Sequence, residues 1–225
     1  MIFMRKYKIF TLVIFLGFAI EVEAQKRPSK KEKLNIQKER LNDRDKLNYE
    51  MAFFNGLRQK ALGNLESAAE DFLKCIRLDG GKAAPMYELA LIYYGFSQYS
   101  DALFFIKSAC EIEQDNIWYQ QLLADANISN QKYNEAIIIY KKLLKEHPGN
   151  EEWCFKLASV YLLDNQLRKA IEVYNEMEQY IGVDEMLIMQ KHRIYLDLKD
   201  KRGAKSELQK WIQSEPKNPK PYSLI

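Results

Sequence analysis

An alanine recurs every 34 residues over most of the chain, and this spacing restricts the possible folds more than any other feature. The series is Ala68, Ala102, Ala136, Ala170 and Ala204. A small residue precedes the first four by 12 positions, at Gly56, Ala90, Ala124 and Ala158, and His192 takes that place in the fifth unit. A bulky residue follows each alanine by four positions, at Phe72, Ile106, Tyr140, Tyr174 and Leu208. A 34-residue period is typical of stacked helix–turn–helix repeats.

The pattern predicts an all-α protein built from five pairs of antiparallel helices. Only Gly or Ala lets two helix backbones approach closely where they cross, so each unit needs one small residue on each helix. We therefore expect nine repeat-packing residues: Gly56, Ala68, Ala90, Ala102, Ala124, Ala136, Ala158, Ala170 and Ala204. The predicted units are 49–82, 83–116, 117–150, 151–184 and 185–218. One unit cannot bury its own apolar faces, so the units stack on one another. Asn116, Asn150 and Asn218 stand where an N-cap would open the next helix.

At these residues the chain resembles the tetratricopeptide repeat family. Leu89-Ala90-Tyr93 on a first helix with Ala102-Ile106-Ala109 on a second fits the family pattern, and so does Leu157-Ala158-Tyr161 with Ala170-Tyr174. The first unit departs at Gln59, where Tyr is usual. The fifth departs most, with Lys191-His192 at the usual Leu-Gly/Ala, and we interpret His192 as a looser helix crossing. The resemblance implies a right-handed superhelical solenoid.

Residues 1–24 have the pattern of a secretory signal. A basic start precedes an apolar run of 12 residues, Ile9–Ile20, which is too short to span a membrane and suits a signal h-region. Cleavage is expected after Ala24, with export to a periplasm or the medium; the alternative is an uncleaved membrane anchor. Residues 25–48 are highly charged and are predicted to form a tether, whose basic first part could rest on an anionic membrane surface.

At the C-terminal end, the apolar side chains of the last predicted helix need a further unit to cover them. Residues 219–225 are expected to begin a sixth unit, with Tyr222 and Ile225 in core register. If that unit is incomplete, Leu208, Trp211 and Ile212 lose much of their cover. The chain is then part of a longer solenoid, or a partner or a second copy covers this end.

The sequence carries no catalytic or cofactor motif, so no enzyme, cofactor or metal is expected. Two histidines, His147 and His192, lack a second ligand at helical spacing. Cys75, Cys110 and Cys154 form no CxxC pair and are predicted to be buried thiols, a single disulfide being the alternative. The net charge of +3 is too small to indicate nucleic-acid binding.

What remains is a surface for another protein. In tetratricopeptide solenoids the first helices line the concave face, and the resemblance therefore implies a partner-binding groove. By register that face carries Phe53, Leu57, Tyr87, Leu91, Tyr94, Trp118, Gln121, Asp125, Phe155, Leu162, Met186 and Met189. The same side chains could instead pack within or between repeats. The Lys, Asn and Arg clamp with which some family members grip chaperone tails is absent, since Phe53, Leu57, Tyr87 and Leu91 occupy its places.

The sequence thus favours a non-catalytic scaffold of the cell envelope that binds a peptide or helix of another protein in its concave groove. The alternative is a membrane-associated assembly factor for secretion, outer-membrane assembly or motility, which self-associates through Leu208, Trp211 and Ile212. A third hypothesis is a docking region for an enzyme encoded beyond residue 225.

Overall fold

The computed structural model describes residues 43–225, and this part of the chain forms ten α-helices and no strand. The helices are α1 Asp43–Ala61, α2 Leu65–Leu78, α3 Ala83–Gly95, α4 Tyr99–Ile112, α5 Ile117–Ser129, α6 Tyr133–Glu146, α7 Glu151–Leu163, α8 Leu167–Ile181, α9 Glu185–Asp197 and α10 Lys201–Ser214, followed by a 3₁₀ turn at Pro221–Ser223. The all-α helical-repeat fold is confirmed. The predicted signal peptide and most of the predicted tether lie outside the described residues.

Residues 49–225 form one compact unit in which the helices pack in chain order. From α2 onward each helix contacts the next, and α3 also contacts α5, the first helix of the following pair. Asparagine side chains open two of the pairs, as expected: Asn116 accepts hydrogen bonds from the backbone N–H of Trp118 and Tyr119, and Asn150 accepts one from Trp153. These caps satisfy N–H groups that the first helical turn leaves without a partner.

A left-handed residue forms the turn inside every pair. The positive φ angles fall at Gly63, Ser97, Gln131, Asn165 and Lys199, with values of 81°, 60°, 59°, 55° and 59°. They share the 34-residue spacing of the alanines, but a glycine occupies only the first. In all five turns the N–H of the next residue donates to a carbonyl five positions back, as Gln98 does to Tyr93. The repeat is therefore closed by one backbone geometry that four non-glycine residues adopt.

The predicted repeat-packing residues lie in the interior. The eight alanines are at most 2% exposed, and Gly56 is buried. At Gly56 an added Cβ would lie 2.8 Å from a ring carbon of Phe72, which is itself fully buried. The helix crossing of the first pair thus leaves no room for a methyl group.

The fifth pair uses a different contact at its crossing. The half-buried ring of His192 has its Nδ1 3.0 Å from the carbonyl oxygen of Ala204. The preceding Lys191 stands where the family pattern has Leu, and its side chain is nevertheless fully buried. Two carboxylates, Glu178 and Glu207, surround its ammonium group at 2.8 Å each.

The expectation of a poorly covered C-terminal end is wrong for two of its three residues. Leu208 and Trp211 are 0% and 1% exposed, and Ile212 is half-buried. The segment after α10 begins no sixth helix within the described residues: it turns back, and its 3₁₀ turn packs on α10 with Pro221 buried. Tyr222 and Ile225 are 52% and 56% exposed and lie outside the core. The predicted core register is therefore wrong for these two side chains.

Candidate functional site

The residues predicted to line a concave groove divide into two classes. Ten are half-buried and pack against the solenoid's own core or bond to neighbouring helices: Phe53, Leu57, Tyr87, Leu91, Tyr94, Gln121, Asp125, Phe155, Leu162 and Met189. Two are exposed, Trp118 at 64% and Met186 at 57%. We call these twelve side chains the first-helix face. Most of the apolar side chains of this face pack against other residues of the same chain.

Aromatic pairs account for much of the packing in the first two units. The ring of Phe53 meets the ring of Phe72 edge-on at 5.8 Å. Tyr87 and Tyr119 join consecutive first helices, with ring centroids 4.7 Å apart. Tyr94 packs edge-on against the ring of Tyr99, and its hydroxyl accepts a hydrogen bond from Ser129. These buried and half-buried rings stabilise the stack of helices, and only the exposed part of their surface could contact a partner.

The polar members of the face tie the third unit to the fourth. Gln121 accepts a hydrogen bond from the Trp153 indole at 3.2 Å and donates one to Glu152 at 3.0 Å. Asp125 accepts a hydrogen bond of 2.6 Å from the buried hydroxyl of Tyr140.

Asp125 bonds to Tyr140 within its own unit, and its second partner lies across the boundary in the fourth unit. The Lys156 ammonium donates to Asp125 at 3.0 Å. Burial, and then the charge and the hydrogen bond of Asp125, raise the pKa of Tyr140. Asp125 therefore accepts hydrogen bonds from a neutral phenol and from a lysine at the same time, and its role is structural.

Trp118 and Met186 are the members of the face that remain available. They occupy equivalent places in the first turns of α5 and α9, and Glu152 holds the equivalent place on α7 between them. The exposed Glu152 already accepts a hydrogen bond from Gln121, which follows Trp118 by three residues on α5. Tryptophan side chains are enriched among the residues that contribute most to protein interfaces.

A second concave surface lies between α6 and α8, with α7 as its floor, and sequence reasoning missed it. We call it the second-helix groove. It has a volume of about 410 Å³, and its apolar lining includes Leu144, Leu157, Tyr161, Val173, Met177 and Tyr180. The α7 residues of this lining follow a different stripe of the helix from Phe155 and Leu162 of the first-helix face. At one end the turn through Gly149, with φ of 87°, lies against Tyr180.

Charged side chains line the two walls of the second-helix groove. Lys141 and Lys145 stand one turn apart on α6, and Glu172 and Glu176 stand one turn apart on α8. All four are exposed. Within the described part of the chain, no ion pair of 4.0 Å or less joins the two walls. The fifth charged group, Lys169, lies 5.6 Å from the ring centroid of Tyr161.

The cysteine thiols among residues 43–225 are buried. The three cysteines are buried and unpaired, and burial raises the pKa of Cys75 and Cys110 to about 11 and that of Cys154 to about 12. Thiols with such pKa values are poor nucleophiles at neutral pH. In the same residues no cluster of His, Cys, Asp and Glu could hold a metal ion, and no helix is long and apolar enough to cross a membrane.

Two stretches of the chain match protein families. Residues 129–210 match the family described as anaphase-promoting complex, cyclosome, subunit 3, and residues 59–81 match the tetratricopeptide repeat. The first match covers both walls of the second-helix groove. No curated protein matches the chain.

Solved structures with the same fold are numerous but distant in sequence. The chain resembles MamA with a TM-score of 0.65 at 17% identity, over 77% of this chain and 94% of that one. A tetratricopeptide repeat protein from Parabacteroides merdae gives 0.64 at 17% identity, over 79% and 70%. YrrB, described as a TPR protein with an unusual peptide-binding site, gives 0.61 at 14% identity, over 77% and 89%. At these identities the likeness establishes the fold.

Proposed function

Because this chain has the tetratricopeptide-repeat fold, we propose that it is a non-catalytic scaffold that binds a peptide or helix of another protein across its first-helix face. The observation that carries the proposal is Trp118, whose indole is 64% exposed on a face where most other apolar side chains are at least half-buried. An exposed tryptophan costs apolar hydration that a partner would remove. The peptide-binding site in the description of YrrB supports a peptide ligand for this fold.

The first-helix face suits a partner segment in which apolar and basic side chains alternate. Trp118 and Met186 offer apolar contacts at its two ends, and Glu152 offers a carboxylate between them. A segment that carries an apolar side chain, a basic side chain and a second apolar side chain along its length would match this order. Two of the proposed contacts are apolar, so binding should weaken little with salt.

We place this scaffold in the cell envelope. The proposal rests on residues 1–24, where a basic start, a short apolar run and Ala24 follow the pattern of a cleaved secretory signal. N-terminal sequencing of the protein purified from its own cells tests it. A chain that begins at Gln25 supports export, and a chain that retains Met1 in a soluble cell extract overturns it.

Site-specific photo-crosslinking in intact cells tests the binding face. A photoreactive amino acid replaces Trp118 in one variant, Met186 in a second, and the exposed Lys205 of α10 in a control. We expect one dominant protein adduct shared by the first two variants and absent from the control. If neither Trp118 nor Met186 gives an adduct above the control, the first-helix face is not the binding surface.

A further inference from the structure

The second-helix groove carries a charge arrangement that the repeat pattern does not explain. The residues 34 positions before Lys141 and Lys145 are Lys107 and Glu111, and those before Glu172 and Glu176 are Ile138 and Lys142. The equivalent surface between α4 and α6 therefore has no basic wall opposite an acidic wall. The arrangement between α6 and α8 belongs to this one pair of units.

We propose that the second-helix groove binds an amphipathic helix of a partner protein, with acidic side chains along one edge of its apolar side and basic side chains along the other. The inference adds a second surface to the proposed function, and it does not depend on the first-helix face. Its support is the combination of a recess of suitable size, an apolar floor and two walls of opposite charge.

The floor provides the apolar part of the recognition. Leu144 on one wall, Leu157 below and Val173 on the other wall converge on a space of about 410 Å³. This volume is within the range of small-molecule pockets, so it can take apolar side chains of a helix whose backbone stays outside the recess. Helices that enter such grooves do so with side chains at positions i, i+3 or i+4 and i+7.

The walls provide the charge complementarity. Lys141 and Lys145 are four residues apart on α6, and Glu172 and Glu176 are four residues apart on α8, so each pair lies on one side of its helix. The ammonium and carboxylate rows do not pair with each other across the groove within the described residues. By contrast, the neighbouring Lys142 pairs with Asp115 and Glu146.

A bound helix can meet both rows at once. Its own i, i+4 carboxylates would face Lys141 and Lys145, and its i, i+4 basic groups on the other edge would face Glu172 and Glu176. Lys169 remains over the Tyr161 ring at the end of the acidic wall. A helix with a single sign of charge on both edges would gain on one wall and be repelled by the other.

Binding of designed peptides to the full-length protein tests the proposal. Three labelled 18-residue helical peptides share one leucine stripe, with glutamate on one edge and lysine on the other in the first, lysine on both edges in the second, and glutamate on both in the third. Fluorescence anisotropy gives the Kd of each. We expect the mixed-edge peptide to bind the wild-type protein at least tenfold more tightly than the other two.

A charge reversal supplies the decisive comparison. The double variant Lys141→Glu/Lys145→Glu makes both walls acidic, so it should lose about tenfold in affinity for the mixed-edge peptide and become selective for the lysine-edge peptide. A folding defect would weaken the binding of all three peptides and would not make the variant prefer the lysine-edge peptide. The matched control is Lys201→Glu/Lys205→Glu, an exposed i, i+4 lysine pair on α10, which should keep the wild-type preference.

Three outcomes would overturn the proposal. The wild-type protein binds none of the peptides, or it binds all three equally, or the Lys141→Glu/Lys145→Glu variant keeps the wild-type order. Sedimentation of the free protein separates a second copy from a partner: a dimer that this variant abolishes would make the groove a self-association surface and reject the proposal. Failure of the crosslinking at Trp118 would leave these peptide affinities unchanged, so the two ideas fail separately.

Discussion

Lys191 donates to Glu207 at 2.8 Å in a place where both side chains are almost completely removed from water. Lys191 is 0% exposed and the Glu207 side chain 5%. Glu178 accepts from the same ammonium at 2.8 Å, and Lys210 reaches both carboxylates at 3.0 to 3.3 Å. The fourth and fifth units are thus joined by two lysines and two glutamates whose charges balance.

Removing Lys191 should destabilise the protein strongly. In Lys191→Met the Glu207 carboxylate stays buried with Lys210 as its remaining cation, and we expect a loss of about 3 kcal/mol in the free energy of unfolding. Urea denaturation followed by circular dichroism measures it. The double variant Lys191→Met/Glu207→Leu should recover much of the loss, and Lys205→Met on the exposed side of α10 should change little. A Lys191→Met protein as stable as wild type would contradict this account.

The same network should make stability depend on acid pH through Glu178. Burial by itself raises the pKa of Glu178, but the hydrogen bond and charge of Lys191, followed by Lys210, bring that pKa below its ordinary value of 4.5. A depressed carboxyl pKa stabilises the folded state above the unfolded-state pKa, and this contribution disappears as the pH falls through the folded-state pKa.

The variant Glu178→Gln tests this dependence because glutamine does not titrate. We expect the wild-type advantage in unfolding free energy to be largest above about pH 5 and to shrink as the pH is lowered to about 3. Denaturant titrations of both proteins across this range give the difference directly. A constant difference would mean that Glu178 does not titrate differently in the folded and unfolded states.

Asp125 should act on stability. In Asp125→Ala the hydroxyl of Tyr140, a fully buried residue, loses its acceptor, which costs about 1–3 kcal/mol. In the background Tyr140→Phe the same substitution should cost less, because no buried hydroxyl is left unpaired. A double-mutant cycle of thermal unfolding measures the coupling. Additive effects would show that the 2.6 Å hydrogen bond contributes nothing beyond the separate side chains.

The crossing of α1 and α2 should reject even one methyl group at Gly56. Alanine favours a helix over glycine by about 1 kcal/mol, yet at Gly56 its Cβ would lie 2.8 Å from the buried ring of Phe72. We expect Gly56→Ala to lower the midpoint of thermal unfolding. Gly95→Ala is the matched control, since no atom lies within 4 Å of the added methyl group there. Equal effects at the two helical glycines would refute a steric cause.

The turn at Lys199 should gain stability from glycine. A non-glycine residue in the left-handed region is strained by about 1–2 kcal/mol, part of which glycine returns through its greater freedom in the unfolded chain. Lys199 is exposed at φ 59°, so Lys199→Gly should raise the unfolding free energy by about 0.5–1 kcal/mol. Asn165→Gly should gain less, because asparagine tolerates this conformation. The reverse order of gains would contradict the strain argument.

The sequence alone determined the helical units, because the repeat is visible as a fixed 34-residue spacing of small residues. Ala68 and its successors mark where helix backbones cross, and small side chains are required there whatever surrounds them. The caps at Asn116 and Asn150 were predictable for the same reason, since a cap acts within its own turn. The left-handed turns could also have been found, because Gly63 marks the first of five equivalent places.

The tertiary structure alone decided which side chains remain available. Register places Trp118 and Asp125 on one face, but Tyr140 and Lys156, which come from other helices, bind Asp125 while Trp118 stays exposed. The basic and acidic walls of the second-helix groove come from α6 and α8, and no spacing along the chain shows that they oppose each other. Trp211 is buried in an end that register alone left open, and Lys191 is buried because two distant carboxylates balance its charge. Such outcomes depend on neighbours far apart in sequence, and only the packed solenoid brings them together.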